Sequence, residues 1–104
     1  MTPVGLDLSL TSSGISFENT QATCPSKFKG AERLIDIRNQ VLSYIEQLDN
    51  PIVAIEGYSM GSRNSQSHSI GELGGVIRVA LFERGIKYVE IPPTCRAKFA
   101  TGKG

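Results

Sequence analysis

One carboxylate near the start of the chain limits what it can fold into. In Val4-Gly5-Leu6-Asp7-Leu8-Ser9-Leu10, the apolar residues Val4, Leu6, Leu8 and Leu10 alternate with Gly5, Asp7 and Ser9. A period of two is that of a strand with one face on a core. Asp7 then points to the other face, between two small neighbours. Aspartate is a poor strand former and its charge is costly to bury alone, so a central strand that carries one is expected to supply it with a partner such as a metal ion. A second acid fits that demand. Ile52-Val53-Ala54-Ile55-Glu56 is another apolar run of strand length, ending on Glu56 before Gly57. If the two strands are neighbours, Asp7 and Glu56 form the start of a divalent-cation site.

The remaining elements follow from periodicity and breakers. Thr11 to Gly14 reads as a tight turn, Ile15 to Glu18 as an antiparallel return strand, and Gln21 to Cys24 as a short third strand closed by Pro25-Ser26. From Gly30 to Leu48, Leu34, Ile37, Val41, Leu42, Ile45 and Leu48 recur at helical spacing. Asp49-Asn50-Pro51 hands over to the Glu56 strand. Gly57 to His68 is rich in Ser and Gly and reads as a loop. A second helix is expected over Ser69 to Arg84, with Ile70, Leu73, Ile77 and Leu81 on one face and Val76, Val79 and Ala80 widening it. Gly71, Gly74 and Gly75 each weaken that helix by roughly 0.8 to 1 kcal/mol relative to Ala, which calls for a close approach to the sheet or to a second copy of the helix. Gly85 is a natural cap. Tyr88 to Ile91 reads as a last strand before Pro92-Pro93, and Thr94 can start a short helix through Ala100. The order is β-β-β-α-β-α-β-α, three antiparallel strands and then two reached by helical crossovers and therefore parallel to the first.

Composition admits one domain over residues 1–104. The 104 residues, 39% hydrophobic, carry a formal net charge of +1, so nucleic-acid contacts would come from local patches. Cys24 and Cys95 have no metal-binding or redox spacing and fit a reducing compartment. No apolar run is long enough to cross a bilayer, which points to a cytoplasmic protein and no membrane partner.

The segments Gly5 to Gly14, Arg33-Leu34, Ala54-Ile55-Glu56, Gly71 to Gly75 and Pro92 to Gly104, taken in that order, resemble the ribonuclease-H-like fold. More narrowly the chain looks like the RuvC family of Holliday-junction resolvases in its shortened, phage-type form, and the likeness covers nearly all of it. Actin- and hexokinase-like ATPases also open on an Asp-bearing strand, but they place Gly two residues after it, where this chain has Ser9. The resemblance implies an α/β domain with a five-stranded mixed sheet flanked by helices. It also implies metal-dependent hydrolysis of phosphodiesters in branched DNA (Holliday junctions, forks or flaps), in recombination and repair in a bacterial or phage-infected cell. Asp7 would bridge two Mg2+ (or Mn2+) ions and Glu56 would hold one.

In that family an aromatic after the glutamate enters the junction, which Tyr58 would match, with Arg63 beside it. A basic residue before the Gly-x-Gly corresponds to Arg96 or Lys98, and Lys103 adds charge. Between Arg84 and Gly104 the positive charges Arg84, Lys87, Arg96, Lys98 and Lys103 face Glu90 alone. Resolvases of this family also carry two further acids on a helix after the Gly-x-Gly, whereas this sequence stops at Gly104. A C-terminally truncated form lacking the final helix is therefore expected, with Glu90 the nearest substitute acid and His68 a surface residue. A homodimer through helix 69–84 would match a two-fold substrate. The alternatives are a branched-DNA-binding module that does not cut and an ATP-binding fragment of the actin-like class.

Overall fold

The structure, a computed structural model, describes residues 1–56 and 65–91, with the backbone alone for 65–67. Strands β1 (Thr2–Asp7), β2 (Ser12–Phe17) and β3 (Thr20–Pro25) precede helix α1 (Gly30–Ile45), followed by β4 (Pro51–Glu56), α2 (Ser65–Glu83) and β5 (Lys87–Ile91). The five strands form one sheet in the order β3-β2-β1-β4-β5. β1 to β3 are antiparallel in sequence, and β4 and β5 run parallel to β1 and to each other. This is the mixed sheet expected from the sequence.

Alternation decides which face is covered. Val4 and Leu6 of β1, Ile15 of β2, Cys24 of β3 and Val53 and Ile55 of β4 form one buried cluster with Ile37, Val41, Leu42 and Ile45 of α1 and Leu73, Ile77, Ala80 and Leu81 of α2. Both helices therefore lie on the same face, as two successive right-handed crossovers moving across a sheet in one direction require. Pro3, Gly5 and Asp7, with Ile52, Ala54 and Glu56, point the other way.

Several boundaries differ from the sequence reading, each for a local reason. β1 starts at Thr2, whose N–H and hydroxyl bond to Asn50 and Asp49 carbonyls at 3.0 and 2.6 Å. It stops at Asp7 and does not run to Leu10, so Asp7 sits at the strand end and not in mid-strand. The stop is a serine clasp: Ser9 N–H donates to Ser13 Oγ at 2.9 Å, and the same hydroxyl donates to Ser9 O at 2.8 Å. The return strand starts earlier, at Ser12, and Glu18 and Asn19 form the hairpin turn with φ of 48° and 64°. Two left-handed residues in a two-residue loop match the right-handed twist of the flanking strands. α1 ends at Ile45, short of Leu48. α2 starts at Ser65, so His68 is an exposed residue of its first turn. Val79 is 58% exposed and does not widen the buried stripe. Gly85, φ +68°, closes α2 as expected.

The close approach that the glycines of α2 call for is at Gly74. A Cβ there would meet Leu8 Cδ1 at 3.7 Å and Arg78 Nη1 at 3.1 Å. α2 thus packs against the segment that follows Asp7.

Cys24 is fully buried and free. Burial, with the nearby Asp36 charge adding to it, pushes its thiol above the ordinary value. Its thiolate is therefore scarce, and in a Cys95→Ser background native Cys24 should react with a thiol reagent only as fast as the protein opens. Rapid labelling of the native protein, followed by absorbance, would show a core that is open at β3.

Candidate active site

The register of β1 on β4 builds the site. Val4, Gly5 and Leu6 pair in parallel with Val53, Ala54 and Ile55, so the next residues along, Asp7 and Glu56, stand side by side at the ends of the two central strands. Neighbouring strands are about 4.8 Å apart, and equivalent residues of a parallel pair share a face. Both carboxylates therefore leave the sheet on the side away from the helices. Leu6 and Ile55, one residue back, are locked in the core and fix the direction in which each acid points.

The two acids differ in exposure. Asp7 is exposed, whereas Glu56 is half-buried and one of its carboxylate oxygens is closed off from solvent. On the other flank Asp7 pairs with Gly14, where a Cβ would lie 3.7 Å from that of Asp7. A methyl group in place of that glycine hydrogen would sit in ordinary van der Waals contact with the Asp7 side chain. The turn beyond Asp7 is held by the Ser9–Ser13 clasp, and Ser13 is completely buried. Ser13 escaped the sequence reading. The only available signal was two serines four residues apart after an acidic strand.

Glu90, considered as a substitute ligand, belongs elsewhere. It pairs with Ile55, which places it on the helix side of the sheet, and its carboxylate accepts from Arg78 Nη1 at 2.8 Å. Arg84 and Lys87 are also remote from the acids. α2 runs away from the Glu56 end, so Arg84 meets Glu46 beyond the end of α1 at 3.4 Å, and Lys87 pairs with Ile52 near the start of β4. The positive charge counted from Arg84 onward is therefore not all at one place. Tyr58, Arg63, Arg96, Lys98 and Lys103, together with Cys95 and the Thr94 to Ala100 helix, lie outside the described residues.

Asp7 and Glu56 are hard oxygen donors on adjacent strand ends, a donor set that suits magnesium or manganese. Among the described residues no three His, Cys, Asp or Glu side chains come together as a metal-binding group. These two carboxylates share one end and one face of the central strands.

A five-stranded mixed sheet in the order 3-2-1-4-5 with α1 and α2 on one face is a ribonuclease-H-like fold. Within that class the chain is similar to RuvC. It is 29% identical over 82 residues, 79% of its length, to the crossover junction endodeoxyribonuclease RuvC of Chloroflexus aggregans, and it spans about half the length of that relative. Its fold superposes on the Thermus thermophilus RuvC structure with a TM-score of 0.75 at 21% identity, covering 100% of this chain and 72% of the other. Against T. thermophilus RuvC in complex with Holliday junction substrate the TM-score is 0.76, also at 21% identity, over 90% of this chain and 66% of that one. No protein-family model matches the chain.

Proposed function

We propose that the complete protein to which these residues belong is a metal-dependent endonuclease that resolves four-way or otherwise branched DNA by phosphodiester hydrolysis. The observation that carries this reading is the side-by-side placement of Asp7 and Glu56 on the sheet face away from α1 and α2. Similarity to RuvC supports the substrate class. The work of these residues is positional. Leu6 and Ile55 hold the two carboxylates at adjacent strand ends, and the half-buried Glu56 keeps a narrow set of orientations. Asp7 and Glu56 would be the protein's oxygen ligands to Mg2+ or Mn2+, two ions being expected in the finished site. When bound there, such ions supply the charge that activates a water and stabilises the leaving oxygen.

Tyr58, Arg63, Arg96, Lys98 and Lys103 are the proposed DNA contacts of the segments that leave β4 and β5. Residues 1–104 form one nuclease domain in this reading, acting in the cytoplasm of a bacterial or phage-infected cell. No helix among the described residues is long and apolar enough to cross a membrane.

The test is incubation of the complete protein with labelled four-way junction and with linear duplex, in Mg2+ and in EDTA. Paired nicks in the junction alone, lost in EDTA, are the expected result. A second reading, a module that binds branches without cutting, draws on the meeting of only two carboxylates among the described residues. Junction binding with no nicks in either Mg2+ or Mn2+ would select it.

A two-fold substrate calls for a two-fold dimer, and α2 offers the surface. Gly75, Val79 and Phe82 recur along one side of the helix, with Val79 58% and Phe82 76% exposed. Gly75 has only the tip of Arg78, at 3.8 Å, near its missing Cβ. Gly75→Leu therefore fits the single protomer and should convert a dimer to monomers in light scattering. A variant that stays dimeric puts the interface elsewhere.

A further inference from the structure

The β2–β3 hairpin brings a basic loop to the end of the sheet that carries the acids. Asp7 pairs with Gly14, Gly14 with Thr23, and Ser12 with Pro25. Ser26 N–H then bonds to Thr11 O at 3.2 Å, which prolongs the pairing past the strand ends. Lys27, Phe28 and Lys29 follow immediately. They sit two strands across from β1, about 10 Å at the usual strand spacing.

The loop is held in place while its charges face outward. Gln40 Nε2 donates to Pro25 O at 2.7 Å, and Arg33 Nε donates to Phe28 O at 2.8 Å. That bond uses one of the five donors of the Arg33 guanidinium. Lys27 and Lys29 are exposed, and Phe28 keeps 42% of its surface exposed between them. The ion pairs among the described residues, Arg78–Glu90 and Arg84–Glu46, involve none of these cations. Of the two acids nearby, Glu32 is exposed on α1, and Asp36 beneath the loop accepts from Gln40 Nε2 at 3.2 Å.

We propose that Lys27, Lys29 and Arg33 form a phosphate-binding clamp that grips the DNA arm leaving the Asp7–Glu56 site across the β1–β2–β3 side of the sheet. This rests on the nuclease reading and adds to it a contact surface at the β3 edge, on the opposite flank from β4 and β5. Exposed cations beside an aromatic suit a polyanion whose sugars and bases give the ring an apolar face. Arg33, planar and tied to the loop, suits a phosphate better than a free side chain does.

Counterion release gives the test a readout that a purely structural role would not move. Each phosphate contact adds about 0.9 to the slope of log affinity against log salt on duplex DNA. The parent is the complete protein with Asp7→Asn, titrated onto fluorescein-labelled four-way junction by anisotropy between about 50 and 200 mM NaCl. Lys27→Ala with Lys29→Ala should lower the slope by about 1.8, with an unchanged melting temperature since both side chains are exposed. Lys87→Ala, at the far end of the sheet, should leave it unchanged. If the parent binds and the lysine pair keeps its slope, or Lys87→Ala lowers it equally, the clamp is wrong and the nuclease reading stands. If the parent binds no junction, both fall.

Discussion

Asp7→Asn in the complete protein should abolish junction cleavage and leave junction binding intact. The substitution keeps the shape of the side chain and removes its charge, at an exposed strand end. A metal-binding carboxylate contributes through the ions it holds, and such ions stabilise transition-state charge by several kcal/mol. At about 1.4 kcal/mol per tenfold in rate, single-turnover cleavage should drop by a factor on the order of a thousand or more. Binding by phosphate contacts should change little, and anisotropy measures it separately. A variant that cuts within tenfold of the parent would remove Asp7 from the catalytic set. Glu56→Gln should show a similar loss of rate, with some loss of stability added because Glu56 is half-buried.

Leu6→Ala should have the largest effect on the fold. Leu6 is fully buried in the cluster that the sheet forms with α1 and α2, and its pairing partner Ile55 is buried beside it. A large-to-small change at such a site costs roughly 2 to 5 kcal/mol. That is a large part of the 5 to 15 kcal/mol that holds an ordinary domain together, and it corresponds to a fall in melting temperature of about 10 to 20 °C or more. Leu6 also sets the direction of Asp7, so cleavage measured well below the new melting point should fall too. Calorimetry and the nicking assay separate the two effects. A shift of only a few degrees would mean that the centre of the sheet is packed more loosely than the structure shows.

The reach of the sequence is clearest in these central residues. Alternation in Val4 to Asp7, the apolar run ending at Glu56 and the handedness of a helical crossover suffice to place two acids together. The same alternation misleads beyond Asp7, because Leu8 and Leu10 keep the period while the Ser9–Ser13 clasp has already ended the strand. The start of α2 was hidden since Ser65 to His68 carry no apolar repeat, and helix there depends on the packing that follows. Glu90, Arg84 and Lys87 lie close in sequence to one end of the molecule but are placed by register and by the direction of α2, which a linear reading does not weigh. Lys27 and Lys29 carry no motif that ties them to Asp7 along the sequence. Their position near Asp7 exists only once the β2–β3 hairpin folds back.

The two acids are 49 positions apart, by subtraction of Asp7 from Glu56, and meet only through the parallel pairing of β1 with β4. A chain emerging from the ribosome exposes Asp7 well before Glu56, yet it cannot present the pair until α1 has packed and β4 has docked. Such long-range pairing forms late compared with hairpins and helices. In the nuclease reading, a nascent or partly unfolded molecule therefore lacks the paired acids, and stray scission would be confined to chains that have finished folding.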